Sequence, residues 1–231
     1  MPRLTAPYLI PWLLRLGPFR RPEMTWSLAD SPAVALTFDD GPGGHTAELL
    51  DVLAENKVRA TFFVLGNRCR RHPDLVRRMH HEGHTLGLHG MEHVPFTRLS
   101  DKDLADIWEG ERSLLGKIVP GLPPVALCRP PFGYAGSREI RLAREHGLQI
   151  VQMTCMPGRH VLWPSGWEEP PDLMARRVAR EIRPGGIITL HDGEDLGWND
   201  RVYTQPEVVE TARGVVIAVR QLGLEFGTIP A

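Results

Sequence analysis

Short apolar runs alternate with amphipathic helical segments along most of this chain, and that alternation restricts the fold more than any other feature. "AVALTF" is followed by a helical pattern over Thr46–Lys57 that places Leu49, Leu50 and Leu53 on one face. "RATFFVLG" reads as a buried strand, and "HPDLVRRMHHEG" as a helix with Pro73 in its first turn and Gly83 at its stop. "HTLGLHG" is a short strand. Ser100 and Asp103 then open a longer helix carrying Leu104, Ile107, Trp108, Leu114 and Leu115. "PPVALCRP" is a strand stopped by Pro130; Ser137 caps a helix that closes at Gly147, and "LQIVQM" is the next strand. After a Pro- and Trp-containing loop from Thr154 to Pro171 come a helix over Asp172–Arg183, the strand "GGIITLHDG", a helix over Pro206–Leu222 and "LEFGTI". Strands joined by helices at this spacing form right-handed βαβ units around a parallel sheet. Roughly seven such units suit a closed or nearly closed barrel, in which reactive residues gather where strands end.

A chain of 231 residues accommodates one such α/β domain, expected over residues 33–231. Lys plus Arg number 27 and Asp plus Glu 28, so the net charge of −1 argues against a general nucleic-acid binder. The three cysteines, Cys69, Cys128 and Cys155, are far apart, without the spacing of a disulfide framework or a thiolate zinc site. Residues 1–32 read as an N-terminal arm. Its apolar stretch is interrupted by Pro7, Pro11 and Arg15, which makes it a poor secretory signal and too short to span a bilayer. Trp12, Leu13, Leu14, Leu16 and Phe19 among Arg15, Arg20 and Arg21 are compatible with peripheral membrane contact, or with packing on the domain's own surface. The expected location is cytoplasmic or membrane-peripheral.

Four of the expected strands end in polar residues: Asp39 and Asp40, then His89 with His93 in "HGMEH", Arg129 and His191. Adjacent carboxylates repel and call for positive charge nearby. His89 and His93 have the i, i+4 spacing that puts two side chains on one helical face, a weak signal alone but a stronger one with carboxylates on the same rim. His80, His81 and His84, on or just past a charged helix, are expected to be solvated. Two imidazoles and one carboxylate make a three-ligand site with open positions, suited to one divalent metal ion, with zinc the expected one. One aspartate can bind the metal while the other serves as a base toward water, and Arg129 supplies the counter-charge that keeps a carboxylate ionised and aimed.

"TFDDGP", "HGMEH", "RPPFG" and "LHD", in that order, resemble the motifs of the polysaccharide deacetylase family, carbohydrate esterase family 4, over residue 33 to the C-terminus. The resemblance implies a distorted (β/α)7 barrel of a single domain and metal-dependent removal of acetyl groups from N-acetylated sugars or glycans. It implies Asp39 as catalytic base, Asp40, His89 and His93 as metal ligands, Arg129 as the tether of the base and His191 as general acid. Phe132 stands where the family uses a backbone N–H toward the oxyanion, and Leu190 matches a wall of the acetyl pocket.

Two departures from the family pattern stand out. Gly90 replaces a usual Ser or Thr after the first metal histidine, and "MTCMPGRHVLWPSGWEEP" lacks the Asp that orients the catalytic histidine. Glu168 or Glu169 could take over that contact, and Trp163 or Trp167 could line a sugar site. Competing readings are a non-haem iron enzyme using the Asp40, His89 and His93 triad, and an inactive sugar-binding barrel. The extra base, arginine and acid count against both.

Overall fold

The computed structural model describes residues 21–28, 31–156, 170–193, 195–196, 202–203 and 207–230. Its elements run β1 (Val34–Asp39), α1 (Thr46–Glu55), β2 (Thr61–Val64), α2 (Gly66–Arg71), α3 (Pro73–His81), β3 (Thr85–Leu88), α4 (Asp101–Ile118), β4 (Leu127–Cys128), α5 (Ser137–Glu145), β5 (Gln149–Ile150), α6 (Pro171–Glu181), β6 (Ile187–His191), β7 (Asp195–Leu196), β8 (Val202–Tyr203), α7 (Glu207–Gln221) and β9 (Phe226–Gly227). Strands β1 to β6 lie in the order β5-β4-β3-β2-β1-β6, all neighbours parallel, and β9 pairs with the start of β1. All six residues of β1 are buried, as a strand covered on both faces requires.

The sheet closes on itself at its seam. Beyond β5, Cys155 bridges in parallel to Ile188 of β6, the opposite end strand. Lower in the seam the segment around Thr25 fills the gap: the Thr25 N–H donates to the Ile150 carbonyl, and the Leu28 N–H to the Gly185 carbonyl. Met24, Trp26 and Leu28 are buried. Residues 21–28 of the expected arm are therefore built into the barrel rather than attached to it. The membrane-contacting reading rests on Trp12 to Arg21, of which all but Arg21 lie outside the described residues. Among the described residues no helix is long and apolar enough to cross a membrane.

Strand alternation sorts the side chains into two layers. Val34, Leu36 and Phe38 face outward into the main core beneath the helices, with Leu49, Leu50 and Leu53 of α1 and Leu104, Trp108 and Leu115 of α4. Ala35, Phe63, Leu127, Val151 and Ile187 face inward and form a second, smaller cluster with Leu28 and Ile229. Thr37 and Asp39 share the inward face with Ala35, so β1 delivers polar groups into the upper barrel.

Helix ends follow local chemistry. The Ser100 Oγ accepts the Asp103 N–H at 3.1 Å to start α4. At α5 the cap is Gly136 rather than Ser137, with Glu139 Oε2 accepting the Gly136 N–H at 2.7 Å. Helix α2 was not expected, because "GNRCRR" lacks an apolar period. The strands β4 and β5 are shorter than the apolar runs around them; Pro123, Pro124 and Pro130 cannot donate to a ladder. His80 and His81 are exposed as expected, but His84 is buried, its Nδ1 accepting the Ala60 N–H at 3.1 Å. Burial pushes the His84 imidazole down to about 4, with help from the Arg78 and Arg59 charges and against the pull of Glu82.

Candidate metal centre and active site

Among the described residues, every expected site residue except Leu190 comes to the carboxyl-terminal rim of the barrel. Asp39 ends β1, and Asp40 follows it in a left-handed conformation (φ 72°), which turns its carboxylate away from the strand's own alternation. That turn packs closely against the segment after β6. A Cβ on Gly193 would lie 2.1 Å from the Asp40 carbonyl oxygen, so only glycine fits there. His89 follows β3 directly, and His93 lies four residues on. The segment between them is not helical, since Gly90 takes φ 96°. The two histidines converge because the loop folds back, not because they share a helix face.

His89 Nε2 lies 3.1 Å and His93 Nε2 3.4 Å from Asp40 Oδ1. Among the described residues this is the group of three or more such side chains whose ligand atoms, all within 4.8 Å of one another, could hold a metal ion. The fit can be judged from lone pairs. His89 Nδ1 lies 2.6 Å from the Arg129 carbonyl oxygen, which only accepts, so Nδ1 carries the proton. The neutral ring then directs a lone pair from Nε2 at Asp40 Oδ1, a buried oxygen with no hydrogen-bond donor. With the ring neutral, a cation between these facing lone pairs satisfies both, and the second nitrogen of His89 is already fixed as a ligating imidazole needs. The donor set of two imidazoles and a carboxylate suits a divalent ion. Burial works to raise the Asp40 pKa, but His93, the His89 contact and His191 outweigh it and hold the carboxyl far below the ordinary range. Against its own burial, His89 is raised by Asp40, Asp39 and the Arg129 carbonyl.

Asp39 has a different partner. Arg129, fully buried at the end of β4, donates from Nη1 to Asp39 Oδ1 at 2.7 Å and to Thr37 Oγ1 at 2.8 Å. Its Nε and Nη2 donate to the carbonyls of Val151 and Gln152 at 3.3 and 3.2 Å, and its guanidinium lies 4.1 Å over the Phe63 ring. The arginine forms the floor of the site and fixes Asp39 beside the metal cluster without joining it.

His191, half-buried at the end of β6, is the register partner of Asp39 across the sheet. Among the described residues no side chain hydrogen-bonds its ring; Glu168, Glu169, Trp163 and Trp167 lie outside the described residues. Phe132 stands in a short 3-10 turn with φ 64°, unusual for a bulky residue, and its ring lies 4.4 Å from that of His93. Leu190 is placed elsewhere. It pairs with Phe38 and belongs to the outer core, because strand alternation points it away from His191; the inward neighbour on β6 is Thr189.

Two acids buried next to the site, Asp192 and Glu111, had no assigned role in the sequence. Asp192 accepts from Thr46 Oγ1 at 2.6 Å behind the aspartate pair. Burial, reinforced by Asp40 and Asp39 and opposed by Thr46, pushes its carboxyl up to about 7. Glu111 on α4 accepts the backbone N–H groups of His89 and Gly90. Burial raises its carboxyl to about 8 against those two donors and His89. The sequence carried a signal for Glu111: it interrupts the apolar stripe of Leu104, Trp108, Leu115 and Ile118.

The profile of the polysaccharide deacetylase family matches residues 28–151. The chain belongs to that family. It is 32% identical over 215 residues to a peptidoglycan-N-acetylglucosamine deacetylase of Bacillus cereus, covering 89% of this chain and 91% of the relative. It is also 32% identical over 212 residues to a chitooligosaccharide deacetylase of Rhizobium leguminosarum bv. trifolii, covering 87% and 92%. A crystallised peptidoglycan N-acetylglucosamine deacetylase superposes with a TM-score of 0.76 over 90% of both chains at 24% identity. That likeness establishes the fold, a polysaccharide deacetylase (β/α)7 barrel.

Proposed function

We propose that this protein is a metal-dependent N-deacetylase of acetylated amino sugars, with zinc as its ion. The observation that carries the reading is the division of labour between adjacent aspartates. Asp40 meets His89 and His93, while Asp39, tied to Arg129, stays free of that cluster. A facial-triad iron enzyme needs only the first group. The acid–base pair across β1 and β6 is left unexplained by that reading and by an inactive barrel.

A divalent ion held by Asp40, His89 and His93 would polarise the acetyl carbonyl and activate water. Asp39 takes the proton from the attacking water, held in place by Arg129. The Phe132 backbone N–H, in its left-handed turn, donates to the oxygen on which negative charge develops. His191, on the strand beside Asp39, gives a proton to the nitrogen as the C–N bond breaks. Water adds to the acetyl carbon, and the products are acetate and a free amine.

The relatives named above act on peptidoglycan N-acetylglucosamine and on chitooligosaccharides, which favours a β-linked N-acetylglucosamine glycan as substrate. Incubating the zinc-loaded protein with chitooligosaccharides, peptidoglycan fragments and N-acetylglucosamine, and quantifying acetate, tests this. Acetate from at least one of the polymers is expected. No acetate from any of them would refute the proposal.

A further inference from the structure

A carboxyl group inside a hydrophobic core is costly unless its oxygens are used, and an apolar side chain of the same size would pack there at no such cost. Glu111 is fully buried on the core face of α4, and both of its oxygens are used on one short segment. Oε1 accepts the His89 N–H at 3.1 Å and Oε2 accepts the Gly90 N–H at 3.0 Å. The His89 N–H is shared with the Val64 carbonyl, and the Gly90 and Met91 carbonyls accept from the N–H groups of Gly66 and Asn67. The loop is therefore held from both sides at its first residues.

Gly90 has φ 96° and no side chain with which to brace that turn. A Cβ there would come within 3.1 Å of the Glu92 carbonyl oxygen. The orientation of the two peptides that flank the His89 Cα must be imposed from outside, and Glu111 accepts the N–H group of each. The His89 ring is set by a separate contact, Nδ1 to the Arg129 carbonyl. We propose that Glu111 is a positioning residue for the metal centre, clamping the His89–Gly90 backbone so that His89 Nε2 converges with Asp40 and His93. The inference rests on the metal-site reading given above.

The test uses Glu111→Gln, which keeps the size but turns an NH2 group toward one of the two amides, and Glu111→Leu, which removes both acceptors. Cobalt(II) affinity is measured by competition with a chromophoric chelator, together with the visible spectrum of the bound cobalt and the thermal unfolding of the metal-free protein. Both variants should bind cobalt about 10–100-fold more weakly than the parent, with an altered spectrum, while Glu111→Gln keeps most of the metal-free stability. Parent affinity and parent spectrum in both variants would overturn the inference and leave Glu111 as a structural tie. Should neither variant fold, Glu111→Asp, which keeps the acceptors but shortens their reach, takes their place: weaker cobalt binding with an altered spectrum upholds the clamp, and parent affinity with the parent spectrum overturns it. A parent that takes up no cobalt overturns the metal-site reading itself, and the inference with it.

Discussion

Replacing Arg129 with Met isolates the contact on which the geometry of Asp39 depends. Met keeps much of the apolar stem but removes the guanidinium that lies over the Phe63 ring, and with it the donors to Asp39, Thr37, Val151 and Gln152. Asp39 is then a buried carboxylate without its cation. Removing one partner of a buried pair costs about 3–5 kcal/mol, far more than the pair's net worth relative to an apolar replacement. For a chain of this size that corresponds to a fall of about 6–20 °C in Tm. Asp39→Asn should be milder, about 1.5–3 kcal/mol, because Arg129 keeps three neutral oxygen acceptors. The double variant carries no stranded charge, so it should be more stable than Arg129→Met alone, with a coupling of about 1–3 kcal/mol. Urea unfolding followed by circular dichroism, in chelator so that metal binding does not contribute, supplies the cycle. A double variant whose loss equals the sum of the single losses would refute the reasoning.

His84 supplies a pH dependence of defined sign. Its folded pKa, about 4, lies below the ordinary 6.5, so the unfolded chain takes up the proton first on acidification. The stabilisation is present above about pH 6.5 and lost toward pH 4; between about pH 7 and pH 5 the parent should lose about 2 kcal/mol more than His84→Asn. Denaturant midpoints at the two pH values check this, and equal slopes in parent and variant would contradict it. His89→Ala and His93→Ala should each lose the metal while keeping the parent's far-ultraviolet circular dichroism; full metal content in either, by elemental analysis, would remove that residue from the ligand set.

The parts of the site legible in the sequence were those that strand ends dictate. In a parallel barrel the residue that closes an apolar run lands on the rim, and Asp39, His89, Arg129 and His191 all do so. Tertiary neighbours decided the rest. His84 lies just past a charged helix, yet the turn after α3 tucks it under β2, where the Ala60 amide needs an acceptor. Leu190 sits beside a rim residue, and strand alternation sends it to the opposite layer. His89 and His93 converge as expected, but through a folded loop that no helical spacing describes. Glu111 was visible as a charge on an apolar stripe; its target, a pair of backbone amides on another element, has no sequence signature.

Metal content and acetate release, measured on the same samples of parent and Asp39→Asn, test most directly whether the adjacent aspartates do different jobs. Asp39 contacts Arg129 and stands outside the Asp40, His89 and His93 cluster. The variant should therefore keep the parent's metal and lose turnover by at least about 100-fold, since an amide cannot accept the water's proton. Near-parent acetate release from the metal-loaded variant, or loss of the metal along with the activity, would contradict the account.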